Sequence, residues 1–405
     1  MKQIGIIGAG PAGIMAALQA AKSGASVHLL EANTKPGKKL LVTGSGRCNI
    51  TNLAASTERY DSDDEAVLSS ILNAYPPTRF RSDLEAMGIF TYATDDGWVY
   101  PISNSAANVL DLLLVQLEQA GVNLHPAVHV SAIQKNEDRY VVVHDRYDAP
   151  HEFDLLCIAT GGKAMPDLGS DGKLLPALAA LGHTLLPVQP ALAPIMLEDK
   201  TLRSLDGVRL DVEASLWRGD TCLRRETGNV IFTQWGINGP AVMNLSHLLP
   251  GQPDETLRLQ LDFLPGHTAQ ARQFLEENID AAASLPVLLG GFLHQKISAA
   301  LCKKIGLDAA TPAAKIGQAK LEKFLSLLTA YRVTPTGTRG FKYAQLSSGG
   351  VALQEVQPGT LASRKQKGLY LAGEVLNVTG PCGGYNLHWA FASGHTAGQA
   401  MAELG

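Results

Sequence analysis

An apolar run at residues 2–7 opens the chain. A glycine-punctuated turn comes next, and then an Ala-rich stretch at 11–23 that stops at Gly24. A second apolar run at 27–30 closes on Glu31. Short continuous apolar runs suit strands buried on both faces, and a helical stretch between two of them makes a βαβ unit. Residues 34–52 read as a Gly/Lys/Ser/Thr loop. The pattern then predicts helices over 63–75 and 78–87, and paired strands at 89–92 and 98–100 around a turn at 95–97. It also predicts an amphipathic helix over 105–120, with Ala107, Leu110, Leu114 and Leu117 on its apolar face. Strands are predicted at 122–124, 128–134, 140–144 and 153–159.

Near Leu186 the texture changes, and Pro187, Pro190 and Pro194 mark a boundary. Strands are predicted at 208–218, 229–233 and 256–263, a mostly helical region over 269–328, and a strand at 331–334. A buried strand at 368–372 and a helix over 387–403 close the chain. The simplest layout is an α/β protein. Residues 1–188 and 345–405 form a doubly wound nucleotide-binding domain from both chain ends. A β-rich insert (189–266 and 331–344) carries a helical insert (267–330).

Composition narrows the class. Apolar residues are 45% of the 405 and charged residues 18%, enough for large cores and too apolar for disorder. Lys plus Arg is 34 against 38 Asp plus Glu, a formal charge of −4, which argues against a nucleic-acid partner. Five scattered cysteines (48, 157, 222, 302 and 382) form no C-x-x-C pair. They read as reduced thiols of a cytoplasmic protein, and no metal site is expected. Every apolar stretch is broken before ~18 residues, so no membrane span is expected.

The chemistry sits in the glycine loops. Gly8-Ala9-Gly10-Pro11-Ala12-Gly13 is a G-x-G-x-x-G directly after a strand and opening a helix. Its glycines permit a tight turn, close approach of a diphosphate, and helix–strand packing, while the helix N-terminus offers N–H groups and positive dipole. Glu31 and the adjacent Ala32 end the second strand, where a carboxylate accepts ribose hydroxyls and disfavours a 2′-phosphate. FAD or NAD therefore fits, and not NADP. Lys38, Lys39, Thr43, Gly46 and Arg47 come within reach of the same diphosphate. Thr160-Gly161-Gly162 ends another strand. The last strand ends in Gly373-Glu374, before a Gly-rich loop and a helix. That arrangement places an acid on a ribityl chain and a helix N-terminus at a flavin ring, so the coenzyme is read as FAD.

Three blocks carry a specific resemblance: 37–52 (GKKLLVTGSGRCNITN), 229–246 (NVIFTQWGINGPAVMNLS) and 369–398 (LYLAGEVLNVTGPCGGYNLHWAFASGHTAG). The chain resembles the BaiN-like, aminoacetone-oxidase-like family of bacterial NAD(P)/FAD-dependent flavoprotein oxidoreductases over nearly its whole length. That resemblance implies an FAD-binding Rossmann-like domain with an inserted β-barrel-like plus helical domain. It implies FAD contacts at Gly8, Gly10, Pro11, Ala12, Gly13, Glu31, Ala32, Lys38, Thr43, Gly46, Arg47, Cys48 and Asn49. Val130 (through its backbone, to adenine), Thr160, Gly161, Gly373, Glu374, Gly384, Tyr385, Asn386 and Leu387 complete the set. The sequence departs from the family pattern at Trp98, Ser105, Gln234, Asn238, Asn377, Thr379 and His388, all outside the FAD loops.

The resemblance also implies two-electron transfer on a small-molecule substrate, with NAD(P)H as a transient electron donor. No second dinucleotide fingerprint is present, since Thr160-Gly161-Gly162 lacks the third glycine. Alternatives are an O2-using oxidase of a small amine, an RNA-modification flavoprotein and a flavin-binding sensor. No catalytic residue emerges. Cys48 and Cys382 read either as redox thiols or as small packing residues, and His388 either as a proton donor or as a packed histidine. Asn238 reads as an N-cap before Pro240.

Overall fold

The structure, a computed structural model, describes residues 1–147, 149–251 and 254–404. The chain divides into two compact units, Met1–Gln189 with Gln345–Gly405, and Pro190–Ala344.

The first unit is built on a parallel sheet of β1 (Gln3–Ile7), β2 (Ser26–Glu31), β3 (Asn123–Pro126), β4 (Leu155–Ile158) and β5 (Leu369–Leu371). The spatial order is β5-β4-β1-β2-β3, and every pair runs parallel. The chain winds outward from β1 through β2 to β3, then returns to β1's other side with β4. The direction of winding therefore reverses between β1 and β4. In such sheets the crevice at the carboxyl ends of those two strands is where ligands sit. Ile4, Ile6, Leu156 and Ile158 are fully buried, as a strand covered on both faces requires.

Both ends of the chain meet in one helix pair. Helix α1 (Pro11–Ala20) comes directly after β1, and α3 (Tyr385–Leu404) closes the chain. Gly394 and Gly398 lie on one face of α3, four residues apart. A Cβ at Gly394 would stand 2.1 Å from the Ala12 carbonyl oxygen, and one at Gly398 2.4 Å from that of Ala16. Two bare positions thus let the backbones touch, which fixes the start of α1 against the end of the chain.

Helix α2 (Ala106–Gln119) has Ser105 at its N-cap, whose Oγ accepts from the Asn108 N–H at 3.2 Å. Its buried face is Ala106, Val109, Leu110, Leu113 and Leu117. Ala107, expected inside, is exposed, because the packed stripe is rotated by one residue from the predicted one. The 34–52 segment is less irregular than expected. It holds a short helix, Lys38–Leu41, and a strand, Thr51–Asn52, paired with Trp98–Val99. Two strands went unforeseen beside the predicted boundary, Leu185–Ala191 and Leu346–Val351, which pair with each other despite Pro187 and Pro190. A third, His151–Phe153, pairs with Arg139–His144.

The second unit is a seven-stranded sheet whose described pairings are all antiparallel. Its two outermost strands, Tyr331–Val333 and Pro335–Thr338, are separated by Thr334 alone. One residue spans only about 3.8 Å between neighbouring Cα atoms, so the sheet must curl until its edges meet. Helices Thr268–Glu277, Gln295–Lys304 and Gln318–Thr329 share its own core, with Leu275, Ile297 and Phe324 fully buried. Asn238 is not the cap of the next helix. Gly239 takes that place at φ 108°, the helix runs only Pro240–Met243, and the Asn238 side chain accepts from the Gly239 N–H instead.

Candidate dinucleotide cradle

The crevice between β1 and β4 is lined first by the glycine turn. Gly8 holds φ 102°, and a Cβ there would stand 2.5 Å from the Ala159 carbonyl oxygen. At Gly13 a Cβ would stand 1.8 Å from the Gly8 carbonyl oxygen. At Gly10, the N-cap of α1, a Cβ would meet nothing within 4 Å. The turn is thus crowded on its inner side and open at the helix N-terminus, where the first N–H groups have no helical acceptor. That opening suits a diphosphate.

Glu31 is buried, and its carboxylate is already engaged. The Ala9 N–H donates to Oε2 at 2.8 Å, and the N–H and Nδ2 of Asn33 donate to Oε1, both at 2.8 Å. A carboxylate has about four acceptor sites, so Oε2 keeps one open. The sequence placed Glu31 at the ribose but gave no sign of Asn33, which also donates to the Leu168 carbonyl at 3.1 Å. Segment 166–170 therefore lies against this end of the cradle. There Ser170 Oγ is buried without a partner among the described residues, 3.1 Å from where a Gly161 Cβ would be.

Glu374 repeats the arrangement. Lys39 Nζ lies 2.6 Å from Oε2, while the N–H and Oγ of Ser347 donate to Oε1 at 2.8 and 3.0 Å. Ser347 Oγ also accepts the Lys163 N–H at 2.9 Å. One serine thus joins the Gly162–Lys163 turn to Glu374, and Lys39 joins both to the loop after β2. Neither Ser347 nor Lys39 stood in the implied contact set, which named Lys38; Lys38 is half-buried.

The remaining loops close on one another. A Cβ at Gly373 would stand 2.8 Å from that of Ala12, and the Gly373 N–H donates to Ser393 Oγ at 2.9 Å. A Cβ at Gly384 would stand 2.2 Å from the Thr51 carbonyl oxygen. Asn52 Nδ2 donates to the Gly383 carbonyl at 2.9 Å. Asn386 pins the same loop, accepting the Gly380 N–H and donating to the Gly380 carbonyl, both at 2.8 Å. Tyr385 is buried edge-on against Tyr60, 5.9 Å between ring centres. Thr379 Oγ1, in the same loop region, is a second buried hydroxyl with no partner among the described residues. Gly46 precedes Arg47, whose guanidinium lies over the Tyr100 ring at 4.6 Å. Ala32, Thr43 and Leu387 are half-buried within these loops, and Asn49 is buried. Val130 stands two residues beyond Val128, whose N–H donates to the Glu31 carbonyl at 2.8 Å.

Of the three residues left with alternative roles by the sequence, Cys48 and His388 are packed in the core. Cys48 is fully buried, and burial pushes its thiol up to about 12, so it stays protonated at neutral pH. None of the five cysteines is in a disulfide. His388 is also fully buried, with Nδ1 2.9 Å from Thr51 Oγ1 and its ring against Phe80. Burial lowers it to about 4, which makes it a neutral core histidine.

Known proteins are similar to this chain in sequence from end to end. A family profile described as the HI0933-like protein Rossmann domain matches residues 2–400. A 3-dehydro-bile acid delta(4,6)-reductase of Clostridium scindens is 36% identical over 410 residues, covering 100% of each chain. A ribosomal RNA dihydrouridine synthase of Haemophilus influenzae is 29% identical, covering 98% of each chain. Another, from Escherichia coli, is 30% identical, covering 98% of this chain and 97% of its own.

Proposed function

Because the chain belongs to the HI0933-like Rossmann-domain family, the BaiN-like flavoproteins, and is an FAD-dependent oxidoreductase, we propose that it reduces a carbon–carbon double bond conjugated to a carbonyl in a small molecule. The observation that carries the coenzyme site is the pair of carboxylates. Glu31 and Glu374 each use three acceptor sites on the protein and keep one. The same unit holds the open helix N-terminus at Gly10 and the hydroxyls of Ser170 and Thr379, unpartnered among the described residues. This donor and acceptor set fits an extended dinucleotide. Glu31 would hold the ribose, the turn at Gly8–Gly13 the diphosphate, and Glu374 the ribityl chain.

Bound there, the flavin supplies two-electron transfer, and the protein orients it and keeps water out. The chain's own residues do the positioning. Lys39 and Ser347 fix the Glu374 carboxylate before any ligand arrives, and Asn386 holds the loop that Gly383 and Gly384 pack onto Trp98 and Thr51. Reduced nicotinamide is the proposed electron source. With no second dinucleotide fingerprint, it would dock transiently.

The substrate class rests on the relatives. The names of both kinds describe adding hydrogen across a double bond, in a keto bile acid and in uridine respectively. The small-molecule reading is favoured by the full-length 36% match and by the formal charge of −4. Reduction of an RNA uracil is the second reading, favoured by the two dihydrouridine synthases. The purified protein should be yellow and should bleach anaerobically with NADH or NADPH. A conjugated enone should then restore the colour, and a uridine-containing ribosomal RNA should not. A colourless protein that takes up no FAD overturns the coenzyme site, and recovery by RNA alone selects the second reading.

A further inference from the structure

Apart from the cradle, the first unit gathers four histidines from distant parts of the chain. We propose that His28, His125 and His151 form an open three-histidine site for a zinc-like divalent cation, with water in the fourth position. His28 lies on β2 and His125 on β3, and His28 is three residues before Glu31. Side chains alternate along a strand, so His28 points to the opposite face of the sheet from that carboxylate. His151 begins the strand His151–Phe153, which pairs with the strand carrying His144 at its end. Gly5 makes room for this packing, since a Cβ there would stand 2.4 Å from the Phe153 ring.

One ring nitrogen from each of the three histidines lies within 4.8 Å of the others. The tightest pair is His28 Nδ1 and His125 Nε2, at 3.0 Å. Tetrahedral zinc with bonds of about 2.0–2.1 Å sets its nitrogens about 3.3 Å apart. That pair is close to the required spacing, and His151 needs to approach by no more than about 1.5 Å. All three side chains are half-buried, so solvent reaches them.

A second observation points the same way. His28 Nε2 is 3.1 Å from Ser26 Oγ, and His125 Nδ1 is 3.2 Å from the Tyr147 hydroxyl. His151 Nδ1 is 2.7 Å from His144 Nε2. Each of the three is therefore braced by a neighbour, as metal-ligating histidines are, which fixes ring orientation. A set of neutral imidazoles selects Zn2+, Co2+, Ni2+ or Cu2+ over Mg2+ and Ca2+.

The test uses the full chain without a polyhistidine tag, stripped with EDTA and titrated with Zn2+ against a chromophoric chelator. Co2+ serves as a spectroscopic probe of tetrahedral ligation. One equivalent should bind. His125→Asn and His151→Asn should each weaken binding at least tenfold while leaving FAD content unchanged. Tyr147→Phe, at a side chain 42% exposed and safe for folding, should weaken it by about tenfold through the lost brace. Absence of binding at 100-fold excess Zn2+ overturns the proposal, as does full-strength binding in His125→Asn or in Tyr147→Phe with His151→Asn.

Discussion

Gly394→Ala tests whether the two ends of the chain hold the cradle in shape. The new Cβ would stand 2.1 Å from the Ala12 carbonyl oxygen, 2.9 Å from its carbonyl carbon and 3.0 Å from its Cα. Relief requires α3 to move off α1 by about 1 Å, since the obstacle is backbone and cannot rotate away. Overpacking of this kind costs about 1–3 kcal/mol. In a unit of this size that lowers the thermal midpoint by roughly 2–4 °C per kcal/mol. The coenzyme should feel the shift too, because Ala12 belongs to the first turn of α1 and touches Gly373. Loss of one charge-assisted hydrogen bond to the diphosphate, about 1.5–3 kcal/mol, weakens FAD by roughly 10- to 150-fold. Scanning calorimetry and quenching of flavin fluorescence read the two effects separately. Gly24→Ala is the control: its Cβ would meet nothing within 4 Å, so the change strains only the backbone at φ 75°. It should cost about 1 kcal/mol and leave FAD affinity unchanged. If Gly394→Ala keeps both the midpoint and the FAD affinity of the parent, the backbone contact between α1 and α3 does not position the turn.

The same geometry gives two further outcomes. Ser347→Ala removes the hydroxyl that bonds both Glu374 and the Lys163 N–H, and FAD affinity should fall by roughly 5- to 30-fold, with the thermal midpoint of the FAD-free protein lower by several degrees, about 1–3 kcal/mol; affinity equal to the parent would detach Ser347 from the cradle. His388 and His395 are buried and lowered to about 4, whereas the unfolded chain titrates near 6.5. Between those values the unfolded state binds protons that the native state refuses, so stability is complete above about pH 6.5 and falls as pH drops toward 4. Urea midpoints measured from pH 7.5 to 4.5 should decline across that window, and replacing His395 with Phe should flatten the decline.

The glycine turn, both carboxylates and the crossing back to the last strand are readable from sequence because each is a local pattern: a strand, its terminal residue, and the loop leading out of it. Ser347 is not. Its stretch reads LSSGGV, with two glycines and no alternation, and it becomes a strand only by pairing with residues 185–191, whose prolines read as a boundary. The histidine cluster is hidden for a similar reason. Residues 28 and 125 meet only because β3 pairs with β2 in a register that sets His125 opposite Leu30, two places from His28. Gly394 and Gly398 look like weak helix positions until α1 lies against them.

Glu31 and Glu374 show how much of a strand-end acid's work a role assigned from sequence leaves out. A strand-end acid reads as a ligand for a sugar hydroxyl, yet each carboxylate first serves the protein: Glu31 ties the Ala9 N–H and Asn33 together, and Glu374 ties Lys39 to Ser347. The remaining acceptor site is held in place by the three that are occupied. Glutamine would keep the size and lose one acceptor oxygen, so Lys39 or the Ala9 N–H would lose its partner before any coenzyme hydroxyl did. The cost of such a change therefore appears in the shape of the empty cradle as well as in its affinity. On the reading proposed above, the side chains that preorganise the site and those that bind its ligand are the same two carboxylates.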